Sequence, residues 1–153
     1  MKRKSIFIAL SIFLLDFVVK QIVDKTMAYN VLKKIIPEVF YLNKVYNTGA
    51  AWSIFSNHTF ILIIISLIAF VILLFYQKEF SDKISPYAFG LIYGGLFGNL
   101  LDRIRFGYVI DYFKVNIGSY EFPIFNIADI SLVLGVILII IVYLRKEHHE
   151  HSK

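Results

Sequence analysis

Four apolar runs, each near the length that crosses a lipid bilayer, alternate with stretches where charged, aromatic and turn residues collect. They cover roughly 5–24, 59–77, 86–105 and 126–145. A helix needs about 20 predominantly apolar residues to span the hydrocarbon core, so each run predicts one transmembrane helix. The second run, from Phe60 to Tyr76, carries no charged residue. The first follows Lys2-Arg3-Lys4, as a secretory signal would, but Asp16 and Lys20 interrupt it and no small-residue cleavage pattern ends it. It reads as a retained first helix.

The connections have their own patterns. In 25–57, Val39 to Tyr46 is rich in β-branched and aromatic residues and predicts a strand. Asn47-Thr48-Gly49 is turn chemistry, and Ala50 and Ala51 let a backbone approach closely. Gln77 to Lys83 is a short polar loop, and Pro86 suits the first turn of the third helix. Gly94 and Gly98 on that helix have the small-xxx-small spacing of close packing in lipid. Gly107 to Phe113 alternates or curls at the membrane edge, Lys114 to Pro123 reads as a loop, and 146–153 reads as a polar tail. The expected fold is an all-α membrane protein of one domain, 1–153. It has four transmembrane helices and a small extracytoplasmic β-rich sheet between helices 1 and 2.

Composition supports a bilayer protein and narrows the chemistry. The chain is 58% hydrophobic, with fifteen Phe and ten Tyr, where soluble domains hold about 45–50% apolar residues. It has no Cys, which excludes disulfides, thiol catalysis and Cys-based metal sites. The net charge of +5 sits at the ends of the apolar runs, as membrane flanks do, and does not call for nucleic acid. Neither H-E-x-x-H nor G-x-S-x-G occurs. His148, His149 and His151 read as part of a solvated tail, so no metal or cofactor is expected.

With a cytoplasmic N-terminus, four spans put both termini inside and place 25–57 and 107–125 outside. Eight Lys and Arg then flank the inner side and six the outer, a small positive-inside bias led by Lys2-Arg3-Lys4. Asp111 and Asp129 therefore share the outer interface with Asn47 and the Asp102 end of the third helix. Two close acids cannot both ionise cheaply, so one keeps its proton near neutral pH. Such a pair supplies an acid and a base together, enough for attack of water on a peptide carbonyl.

Plainer readings stand beside these. Asp16 and Lys20, four residues apart, share a helix face in the favourable order and can be a structural ion pair. Asn99, Asp102 and Arg103 also share a face and can satisfy one another. Asn47 can be a turn residue or can bond a substrate backbone. Asn126 is placed to cap the last helix, where Asp129 would stabilise the helix dipole.

Five ordered motifs resemble the type II signal peptidases, the bacterial prolipoprotein signal peptidases, over nearly the whole chain. They are Leu15-Asp16 with Lys20; Asn47 to Ser53; Gly94 to Asn99 with Asp102-Arg103; Gly107 to Phe113; and Phe125 to Asp129. Phe17-Val18-Val19 and Trp52 depart from the family pattern. The resemblance implies a catalytic dyad of Asp111 and Asp129. Asp16, Lys20, Asn47, Gly49, Asn99, Asp102, Arg103 and Asn126 match positions that shape the family's site. It implies substrates that are precursors with a diacylglyceryl-modified Cys, cleaved just before that Cys, and inhibition by globomycin. It also implies residence in the bacterial cytoplasmic membrane, in contact with membrane lipid. Two other classes remain open: a small proton-coupled transporter relaying protons through Asp16, Asp102, Asp111 and Asp129, and a non-enzymatic scaffold packed through its glycine faces.

Overall fold

The computed structural model describes residues 2–49, 58–80 and 82–151, with side chains described as far as Lys146. Ala50, Ala51, Trp52 and Ser53 lie outside the described residues. The elements run α1 (Arg3–Thr26), β1 (Lys33–Ile36), β2 (Phe40–Asn47), α2 (Thr59–Tyr76), α3 (Ser85–Phe106), β3 (Val109–Ile117), β4 (Tyr120–Glu121) and α4 (Ile127–His151). A 3-10 turn, Gln77–Glu79, extends α2.

Among the described residues, three helices are long and apolar enough to cross a membrane: α1, α2 with its 3-10 extension, and α4. They expose aliphatic and aromatic side chains over most of their surface, as lipid-facing helices do. The third expected span, 86–105, is the helix α3, of comparable length. Its glycines, Asn99, Asp102 and Arg103 make it the least apolar of the four, and the reason is position. Ala88, Phe89, Tyr93 and Leu100 are buried in it, because it packs between α1 and α4. Polar and glycine residues therefore face protein here, not lipid.

The glycine spacing acts at the α1 contact. A Cβ on Gly94 would lie 2.6 Å from Ile12 Cβ, and one on Gly98 would lie 2.5 Å from Asp16 Oδ2. Both are too close for a side chain, so α1 and α3 touch backbone to side chain with nothing between. Gly107, at φ 78°, ends α3 in the left-handed conformation, with its N–H on Arg103 O at 3.0 Å.

The sheet is larger than expected and is not confined to the connection between the first two helices. Its order is β1-β2-β3-β4, all antiparallel, so the second connection supplies half of it. The sequence concealed β3 because Val109, Ile110, Asp111 and Tyr112 are all buried, which erases the in–out alternation of a one-faced strand. Lys114 to Pro123, read as a loop, holds the end of β3 and the short β4. The segment read as a polar tail continues α4 to His151.

Two features of the sheet set up the site. β2 pairs with β3 so that Val45 faces Asp111 and Asn47 faces Val109, after an irregularity between Leu42 and Val45. Phe125 is then clamped to β3: Tyr112 and Phe113 N–H both donate to its carbonyl, at 3.1 and 2.8 Å, and its N–H donates to Phe113 O at 3.0 Å. The chain entering α4 is thereby pinned beside Asp111.

Candidate active site

The N-terminus of α4 is built as a capping box. Asn126 Oδ1 accepts from Asp129 N–H at 2.9 Å, and Asn126 N–H donates to Asp129 Oδ2 at 3.1 Å. Aspartate takes the place usually held by Glu or Gln, so Asp129 is held by the helix end that it stabilises. Its other oxygen, Oδ1, accepts from Asn99 Nδ2 at 2.7 Å.

Asn126 also reaches the second carboxylate. Its Nδ2 donates to Asp111 Oδ1 at 2.6 Å and to Asn99 Oδ1 at 3.0 Å. The Asp111 and Asp129 carboxylates, eighteen positions apart, are therefore bridged by one wholly buried residue, through its side-chain amide and its backbone N–H. Asp111 Oδ2 accepts from Asn47 Nδ2 at 2.9 Å, while Asn47 Oδ1 accepts from Gly49 N–H at 2.9 Å. Asn47 is thus a turn residue and the orienting partner of Asp111 together. Both of its polar atoms make a bond within the chain, one of them to Asp111.

Beneath the two carboxylates lies a buried ionic cluster. Lys20 Nζ contacts Asp16 Oδ2 at 2.8 Å, Asp102 Oδ2 at 3.0 Å and Asn99 Oδ1 at 2.9 Å. Asp16 Oδ1 accepts from Ala128 N–H at 2.9 Å, and Asp102 Oδ2 accepts from Ile110 N–H at 3.2 Å. The ion pair read from the i, i+4 spacing is real, but it is one edge of a cluster joining α1, α3, β3 and α4. Arg103 does not join Asp102 in a closed pair. Its Nη2 donates to Gly49 O at 3.0 Å, within electrostatic reach of Asp129, Asp111 and Asp102.

Charge is out of balance here. Four carboxylates, Asp16, Asp102, Asp111 and Asp129, face two cations, Lys20 and Arg103. Asp111 is 2% exposed. Its pKa is pushed up to about 7, first by burial and then by the charge of Asp129; hydrogen bonds from Asn47 and Asn126 and the charge of Lys20 oppose the rise. Asp129 is only partly buried. One carboxyl is enclosed and holds its proton near neutrality, and its neighbour opens outward. No group of three or more potential metal ligands occurs among the described residues.

One part of the arrangement went unread in the sequence. Lys44 donates to Asp24 O at 2.9 Å and pairs with Asp24 Oδ1 at 3.2 Å, where Tyr46 OH also donates at 3.1 Å. This fastens the end of α1 to β2, the strand that carries Asn47. A lysine at alternate spacing from Tyr46 in a strand, with an acid ending the preceding helix, was the available signal.

The signal peptidase II family matches residues 8–145. The chain belongs to that family. It is 37% identical over 142 residues to the lipoprotein signal peptidase of Staphylococcus carnosus (strain TM300), covering 92% of this chain and 89% of that one. Two solved structures described as bacterial membrane enzymes share the fold. One superposes with a TM-score of 0.85 at 38% identity, covering all of this chain and 94% of the other. The second gives 0.78 at 40% identity, covering 94% of each. As a signal peptidase II, the protein is a membrane protease that acts on lipoprotein signal peptides.

Proposed function

We propose that Asp111 and Asp129 are a catalytic dyad that cleaves the signal peptide from a diacylglyceryl-modified precursor, just before the lipidated Cys. The observation that carries this reading is the Asn126 bridge, which holds one carboxylate by its side-chain amide and the other by its backbone. Asp111, enclosed and raised in pKa, carries the resting proton. Asp129, partly open, is the base. Asp129 takes a proton from water as the water oxygen attacks the scissile carbonyl. Asp111 donates a hydrogen bond to the carbonyl oxygen, which becomes the oxyanion of the tetrahedral intermediate. As the C–N bond breaks, the proton held on the dyad passes to the leaving amine. Asn47, Asn99 and Asn126 fix the two carboxyls, and Arg103 braces Gly49. No metal takes part.

In this reading α1 to α4 all cross the membrane, with both termini in the cytoplasm and the sheet on the outer face of the bacterial cytoplasmic membrane. A diacylglyceryl substrate then reaches the dyad from the outer leaflet with its acyl chains still in lipid. Globomycin competes for the same place. The transporter alternative finds less support: the four acids gather around Lys20 and Asn126, where a proton relay needs them spaced through the bilayer. Replacing Asp111 or Asp129 separately with Asn, with cleavage of a diacylglyceryl precursor peptide as the readout, tests the proposal. Each variant should lose at least a thousandfold in rate while keeping its fold; cleavage retained by either one rejects the dyad.

A further inference from the structure

A cavity opens at the end of the bundle remote from the carboxylates. It has a volume of about 520 Å³ and lies where the starts of α1 and α3 meet the end of α2. Ser5, on its wall, precedes Asp16 by eleven residues, about 16 Å along α1. Nothing in the proteolytic chemistry uses it.

Its lining is amphiphilic. Lys2 and Lys78 stand at its rim, and Leu74, Phe75 and Phe89 form its apolar wall. Neither lysine makes an ion pair among the described residues. Lys2 Nζ reaches only Phe80 O, at 3.5 Å, and Lys78 Nζ sits 5.4 Å from the centre of the Phe75 ring. Ser5, 2% exposed as a residue, lines the same cavity. Ser85, equally buried on the same wall, donates to Asp82, whose carboxylate also accepts from Ile84 and Ser85 N–H. Residues 2–4 and 77–83 together carry five basic and two acidic side chains.

We propose that this cavity binds one anionic phospholipid, with its phosphate between Lys2, Lys78 and Ser5 Oγ. Two ammonium groups outside any ion pair among the described residues, with the Ser5 hydroxyl, supply donors to phosphate oxygens. The adjoining aromatic and aliphatic wall has no use for a soluble anion but continues the path of an acyl chain. Basic pockets between membrane helices recognise anionic headgroups in this way. A flanking lysine that merely snorkels needs neither a cavity nor a buried serine.

Native mass spectrometry of the full-length protein, doped with phosphatidylglycerol or phosphatidylcholine, tests this directly. One phosphatidylglycerol molecule should stay bound where phosphatidylcholine is lost. Lys2→Gln/Lys78→Gln should cut that retention at least tenfold, while Arg3→Gln/Lys83→Gln leaves it within twofold. If the lysine variant fails to fold, Ser5→Leu decides, because it fills the cavity without removing charge and should abolish retention. Equal retention of the two lipids, equal loss in both charge variants, or full retention in Ser5→Leu overturns the proposal. Displacement of the lipid by glycerol 3-phosphate overturns it too, in favour of a soluble phosphate ester.

Discussion

If Asp111 must hold a proton for the reaction, activity has an alkaline limb set by that carboxyl. Its pKa near 7 means about nine-tenths of the enzyme carries the proton at pH 6 and about one-eleventh at pH 8, roughly a tenfold fall. Burial raises this pKa most, and the charge of Asp129 on α4 raises it further; the hydrogen bonds from Asn47 on β2 and Asn126 and the charge of Lys20 on α1 lower it. Asn47→Ala removes that bond, so the limb should move to higher pH even as the maximal rate drops. The assay is kcat/KM on a fluorogenic diacylglyceryl peptide across about pH 5–9 in one detergent. Stability carries the same sign. A carboxyl whose folded pKa lies above its unfolded value binds more protons in the native state between pH 4 and 7. The fold therefore loses up to about 4 kcal/mol as pH rises through that window, and the dependence flattens above it. A flat rate profile from pH 6 to 9, or an Asn47→Ala limb that moves to lower pH, refutes the reasoning.

Three further outcomes follow from the packing. Lys20→Met leaves Asp16 and Asp102 buried without their cation, and thermal unfolding in detergent should show a loss of about 3–5 kcal/mol. Gly98→Ala drives a methyl into Asp16 Oδ2 and should cost about 1–3 kcal/mol, whereas Gly118→Ala, with nothing within 4 Å, should cost less through strain alone. Asn126→Ala removes a helix cap, worth about 1 kcal/mol, but also the bridge between the carboxyls. Its rate should fall at least a hundredfold at a temperature where circular dichroism shows it folded.

What could be read in the sequence was what rests on local spacing. Helix lengths, the i, i+4 pair of Asp16 and Lys20, and Asn126 before Asp129 are properties of short windows. What could not be read depends on partners far along the chain. β3 was not legible as a strand because its first four residues are all buried, beside α1 and α3, elements that no window contains. Asn47 looked like a turn because it is one; its bond to Asp111 spans 64 positions. The third helix shows the same divide. Its glycines were legible as a packing face, but its low hydropathy follows from neighbours on two sides.

The isolation of α2 has a consequence for how this chain can vary. Leu62 is its sole buried residue, whereas α3 buries fourteen. Sequence drift should be distributed accordingly. A saturation library selected for growth should accept almost any greasy residue along 59–76 and reject nearly all exchanges along 88–102. Lineages would then diverge fastest in the segment that contributes most to lipid solubility and least to shape.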